Sequence, residues 1–191
     1  MVVSITQTVG PLFGSKVITP GLGFVYASTM GAYLTGTDQA PGSRPRTTIA
    51  PTIVTKDGKT VMVLGAAGGL RILSGIVQTI SRFIDQGISL QAAVLAPRVH
   101  PMSAFDSLSG NYVGRGLQIN AEFTPNNGWT AADSLLWLNA GFEVTPLERY
   151  GAFARVHALC YDEMTQLWTG IADADWEGTA KGPVESICTT Q

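Results

Sequence analysis

Apolar positions in this chain change their period several times, and each change marks an element. Residues 2–9, VVSITQTV, set β-branched residues in near alternation and predict a strand; GFVYAS at 23–28 predicts another. Residues 35–47, TGTDQAPGSRPRT, are polar and rich in glycine and proline and predict a loop. Two β-like runs across 52–65, TIVTKDGKTVMVLG, flank Asp57-Gly58, a dipeptide favoured by type I′ hairpins. After Gly69 the period becomes helical. Leu70, Leu73, Ile76, Val77, Ile80, Phe83 and Ile84 share one face, and Gly87 is a natural stop. Ser89 is placed to cap a short helix, LQAAVLA, which Pro97 ends. Residues 98–129 read as irregular apart from one β-like stretch at 117–123. Thr130 caps a clear helix, AADSLLWLNA, with Asp133 in its first turn and Gly141 after its end. Three β-like runs follow, at 142–148, 154–162 and 166–173.

Strands, then helices, then strands, without regular alternation, predict an α+β fold. Its sheet or sheets should be antiparallel, with the helices segregated in the middle. A length of 191 residues fits a single domain over 1–191.

Composition adds one tension. Charged residues make up 14% of the chain, against the usual ~25%, and the mean hydropathy is +0.19. Two readings fit: a surface partly reserved for an obligate partner, or a large buried core. The net charge is −2 and no basic stretch is interleaved with aromatics, which speaks against nucleic-acid binding. No apolar run is long enough for a membrane span. MVVSITQTVG has no basic n-region and does not read as a signal peptide, which leaves cytoplasmic and exported locations both open. Cys160 and Cys188 lack metal-type spacing, and Cys160 is expected as a small core residue. With two histidines and no carboxylate cluster, neither a metal nor a cofactor is expected.

The chemistry-bearing stretch is GAAGGLRILSG, from residue 65. Strand, glycine turn, helix is the layout of an anion-binding loop, because backbone N–H groups and the helix dipole converge there. The spacing is neither that of a dinucleotide fingerprint nor that of a Walker loop, which needs Gly-Lys-Ser/Thr. Gly68 and Gly69 suit an oxyanion hole; a tight turn with no ligand fits the pattern equally.

The context is more specific. RPRTTIAPTIVTKDGKTVMVLGAAGGLRI, then QGISLQAAVLAPRVH, LWLNAGFEVT and LWTGIADAD…GTAKG, follow in an order that resembles the small catalytic subunit of the γ-glutamyltransferase family. The resemblance covers nearly the whole chain. It implies an N-terminal-nucleophile hydrolase fold, an αββα sandwich, made as a self-cleaving proenzyme active in glutathione metabolism. It implies a heterodimer or heterotetramer with a large subunit from the same precursor, acting on a small-molecule amide. The nucleophile is a threonine that attacks through an acyl-enzyme, with its own amine as base. Gly68 and Gly69 match the family's oxyanion glycines, and Thr8 matches the threonine that orients the catalytic amine. Thr47 and Thr48 match the Ser-Ser pair that holds the substrate carboxylate. Arg71 matches the arginine after the glycines, with bracing and direct contact both open.

The resemblance also exposes departures. The family's nucleophile falls about a dozen residues upstream of Met1, so the chain as given is expected to be inactive alone, an incomplete catalytic subunit or a non-catalytic pseudo-subunit. The family's amino-group clamp of Asn, Gln and Asp falls on Gly10, Thr29 and Ala32. That loss implies a substrate with a carboxylate but no free α-amine, glutaryl-like or oxamate-like rather than γ-glutamyl.

Overall fold

A computed structural model describes residues 1–10, 13–29, 40–44, 47–106, 111–123, 128–149, 153–175 and 178–182. The first regular element is the expected hairpin. Strand β1 (Thr52–Lys56) pairs antiparallel with β2 (Lys59–Ala67). Asp57 and Gly58 between them take φ of 51° and 75°, as a type I′ turn requires. Strands β6 (Arg155–Asp162) and β7 (Leu167–Ala172) complete an antiparallel sheet in the order β1-β2-β6-β7.

One face of this sheet is covered by helices α1 (Ile72–Ile84) and α2 (Leu90–Leu95). Met62, Leu64, Ala66, Val156 and Ala158 from the sheet meet Ile72, Ile76, Leu90 and Val94 from the helices. Cys160 packs at the margin of this core, half-buried, and burial pushes its thiol pKa up. Ser89 caps α2, its hydroxyl accepting from Ala92 N at 3.2 Å.

The buried face of α1 is rotated from the expected one. Ile76 is buried, but Leu70, Leu73, Val77 and Ile84 are exposed, Val77 by 62%. The inward positions are Ile72, Gly75, Ile76, Thr79 and Arg82. Gly75 is needed there because a Cβ would lie 2.9 Å from the Ala154 methyl. The apolar residues outnumber one face, so periodicity alone cannot select the right one.

Residues 98–129 are not irregular. Strands β3 (Val99–Asp106) and β4 (Asn111–Glu122) pair antiparallel, with a register shift at Pro101–Ser103. Helix α3 (Ala131–Asn139) then leads to β5 (Glu143–Leu147), which pairs parallel to β4, giving a second sheet in the order β3-β4-β5. The parallel pair departs from the antiparallel expectation, because a helix intervenes and carries the chain back to the same end. Thr130 and Asp133 form a full capping box at the start of α3.

The stretches at 2–9 and 23–28 do not form strands. Exposure alternates along 1–7 as in a strand, but no ladder is made. The Ser4 hydroxyl donates to Leu64 O at 3.0 Å, and Thr6 Oγ1 lies 2.9 Å from where a Gly65 Cβ would be. The segment thus crosses the sheet face opposite the helices. Val25 makes a single bridge to Ile18. Among the described residues no helix is long and apolar enough to cross a membrane.

Candidate active site

Strand β2 ends in the glycine turn. Gly68 has φ 139°, ψ 22°, and Gly69, which opens a short 3-10 turn (Gly69–Arg71), has φ 58°. Side chains rarely tolerate either conformation. A Cβ on Gly68 would lie 2.7 Å from the Cα of Ala154, whereas one on Gly69 would meet nothing within 4 Å. Packing requires the first glycine; the second leaves its backbone open to approach. The turn is closed by Arg71 N donating to Gly68 O at 3.1 Å, and α1 follows directly.

The open side of the turn borders a cavity of about 1070 Å³. Thr8, Thr29, Thr47, Thr48, Gly68 and Gly69, brought from four separate stretches of sequence, all line it. None of the described lining residues is charged. The Thr48 hydroxyl donates to Gly69 O at 2.8 Å, which ties the turn to the segment before β1. A hydroxyl has one proton to give, so Thr48 has none left for a ligand. Thr47 Oγ1 accepts from Ile49 N at 3.1 Å and keeps its own proton. Thr8 Oγ1 accepts from Gly10 N at 3.0 Å. Gly10, at φ 86°, carries no side chain, and a Cβ there would lie 2.7 Å from Ser28 Oγ. Ala32 lies outside the described residues.

Arg71 is not among the lining residues. Its guanidinium reaches the second sheet, where Nη2 donates to Asn120 Oδ1 at 3.4 Å. Further contacts join α1 to β3. Ser74 Oγ and His100 Nδ1 lie 2.8 Å apart, and Gln78 donates to Val99 O at 2.8 Å while accepting from Val99 N at 3.0 Å. Burial, with a smaller contribution from Arg71, holds the His100 pKa below its ordinary value.

Behind the turn lies a group that sequence reasoning missed: Arg82, Arg98, Glu122, Arg149 and Asp173. Arg98 Nη2 sits 2.7 Å from Asp173 Oδ2, with both side chains almost wholly buried. Arg149 Nε lies 2.7 Å from Glu122 Oε1, and Arg149 Nη2 donates to Leu95 O and Ala96 O. Arg98 N donates to Glu122 Oε2 at 3.0 Å. Arg82 donates to Ala96 O and Pro97 O, and burial followed by repulsion from Arg98 lowers its pKa to about 10, which leaves it charged at neutral pH. For Asp173, burial acts upward, but Arg98, the Asp175 N–H and Arg149 outweigh it and hold the carboxyl below its usual range. The signal was present in APRVH and GIADAD, where single charges interrupt apolar runs.

A family model described as gamma-glutamyltranspeptidase matches residues 1–180. This chain belongs to the gamma-glutamyltranspeptidase family. Two relatives share 42% identity with about half of it. They are a "Glutathione hydrolase proenzyme" from Pseudomonas sp. (strain A14), over 112 residues, and an "Acylase ACY 1 proenzyme" from Pseudomonas sp. (strain V22), over 102 residues. Each match takes in 51% of this chain but only 20% and 18% of the respective relative, so the chain spans about a fifth of their length. A crystal structure of a Helicobacter pylori gamma-glutamyltranspeptidase mutant superposes with a TM-score of 0.72 at 25% identity, covering 91% of this chain and 93% of that one. The fold is thus the small-subunit portion of the N-terminal-nucleophile hydrolase sandwich. The four-stranded sheet and α1–α2 supply one sheet and one helical layer of it.

Proposed function

We propose that residues 1–191 form one unit, the C-terminal catalytic part of an amide hydrolase or acyltransferase that works through an acyl-enzyme. A threonine upstream of residue 1 attacks the amide carbonyl, its own α-amine taking the hydroxyl proton. The tetrahedral oxyanion is held by backbone N–H groups of the Gly68–Gly69 turn, so the anion bound there is transient rather than a phosphate. The C–N bond then breaks, the departing amine takes the proton, and water or an acceptor amine resolves the ester. Thr8 orients the catalytic amine. The convergence of Thr8, Thr29, Thr47, Thr48, Gly68 and Gly69 on one cavity carries this reading.

Of the two threonines, Thr47 is the one with a proton free for a substrate carboxylate, while Thr48 and Arg71 brace the turn. The large subunit supplies the rest of the carboxylate site and covers the apolar surface left open. That surface includes Leu73 and Val77 on α1 and Ile53, Leu159 and Trp168 on the sheet.

The substrate bears a carboxylate near the amide and no free α-amine. An ammonium buried without a carboxylate partner costs several kcal/mol, and the described lining offers Thr29 but no acid. Hydrolysis of paired anilides by the complete enzyme tests this. Glutaryl anilide should be preferred over γ-glutamyl anilide by about tenfold or more in kcat/KM, which is about 1.4 kcal/mol. A clear γ-glutamyl preference refutes the substrate class. Failure to acylate on either anilide and on an oxamate-type amide would make the chain a non-catalytic subunit instead.

A further inference from the structure

Ala154 is the residue on which the glycine turn rests, and its surroundings are unusually restrictive. It is 2% exposed and wedged between Gly68 and Gly75. A Cβ on Gly68 would come within 3.2 Å of the Ala154 methyl and 2.7 Å of its Cα; one on Gly75 would come within 2.9 Å of that methyl. The turn and the first part of α1 therefore press on one small side chain.

The backbone around Ala154 is held by an ion pair. Arg98 Nη1 donates to Ala154 O, while Nη2 donates to Val94 O at 2.5 Å and to Asp173 Oδ2 at 2.7 Å. The same Asp173 Oδ2 accepts from Val156 N at 3.2 Å, and Oδ1 accepts from Asp175 N at 3.0 Å. One guanidinium and one carboxylate thus grip residue 154 by its carbonyl and residue 156 by its amide. Arg98 is itself fixed. Its N–H meets Glu122, and its carbonyl accepts from Glu122 N at 2.9 Å and Trp129 Nε1 at 3.1 Å. Buried ion pairs often add little net stability over apolar packing. A forked guanidinium does fix direction at two acceptors at once, which a lysine cannot.

We infer that the Arg98–Asp173 pair is a positioning device for the reaction: it sets the height of Ala154, and Ala154 sets where the Gly68–Gly69 N–H groups point. This rests on the oxyanion role proposed for that turn. Neither Arg98 nor Asp173 lines the cavity, so both act on the turn indirectly, through the backbone they hold at residues 154 and 156. An interaction that counts only in the transition state lowers kcat and kcat/KM together and leaves KM in place.

The test is anilide hydrolysis by the complete, processed enzyme, normalised by active-site titration, on Arg98→Lys, Asp173→Asn, Ala154→Gly and Gly68→Ala. Arg98→Lys and Asp173→Asn should lower kcat by about ten- to a hundredfold, with KM within about twofold of the parent. Ala154→Gly leaves the ion pair intact and should also lower kcat selectively, which carries the test if a cluster variant fails to mature. If these three keep parental kcat while Gly68→Ala loses it, the positioning inference falls and the oxyanion reading stands. If Gly68→Ala also keeps parental kcat, both fall. A drop in melting temperature with kcat unchanged would mark the pair as structural only and overturn the inference.

Discussion

Two polar regions flank the Gly68–Gly69 turn, and they are built on opposite rules. The cavity in front has threonines, backbone and apolar side chains, and no charge among its described lining residues. The cluster behind has three arginines and two carboxylates, all nearly out of solvent. Charge is concentrated where geometry must be fixed and withheld where a ligand's own charge must be read. A permanent charge at the cavity wall would select ground-state ions. Hydroxyls and N–H groups are neutral dipoles, which on the reading proposed above act on a negative charge as it develops beside them.

The sharpest way to break the contrast is to unbalance the cluster. Arg149→Met strands Glu122, whose side chain is fully buried, and should cost about 3–5 kcal/mol. Thermal unfolding of the complete protein measures this. A loss under about 1 kcal/mol would mean that water or Arg98 replaces the lost partner. The cavity should respond in the reverse way. Thr47→Val keeps the side chain's shape and removes the hydroxyl, so KM should rise about tenfold with kcat unchanged, while the melting temperature falls only slightly for the exposed bond from Ile49 N that is lost. An unchanged KM would place the substrate carboxylate elsewhere.

The smallest effect sharpens the boundary between the two. The His100 pKa is depressed in the folded state, so as pH falls the unfolded chain takes up that proton first. The stability contribution is present above the unfolded value of 6.5 and is lost progressively below it, toward the folded value. Burial raises Glu122 against the pull of Arg149, which gives the opposite slope. The informative quantity is therefore the difference between the parent and His100→Asn. The parent should lose more stability from about pH 7 to pH 5, by less than about 1 kcal/mol. Parallel pH profiles would show that His100 does not titrate there.

Much of the local structure was legible because it follows from local rules. Asp57-Gly58, Ser89 and Thr130 with Asp133 each announce a turn or cap through chemistry confined to a few residues. The glycine turn was legible for the same reason, whereas the lining threonines stood out only through the family resemblance. What was hidden depends on distant partners. Strand β3 contains Pro101 and a register shift, so its alternation is broken. Helix α1 turns Gly75, Thr79 and Arg82 inward because Ala154 and the Ala96–Pro97 carbonyls wait there, and no period encodes that. Arg98 and Asp173 stand as single charges in apolar runs, and their partners are set only when the fold brings residues 98, 154 and 173 together. Residues 2–9 have the composition of a strand, but among the described residues no ladder forms along them, and their one backbone bond outside the segment runs from Ser28 N to Val9 O at 2.9 Å.

The middle of the four-stranded sheet joins Leu64 to Ala158, with the whole second sheet inserted between them in sequence. Such long-range pairings form slowly. During synthesis Gly68 emerges well before Ala154, so for that interval the turn has nothing to rest on. Nor can it be braced from behind until Asp173 has followed. Support for the turn is thereby deferred until residues 154 and 173 have been made. A chain that stops short of them carries the right glycines without the side chains that hold them in shape.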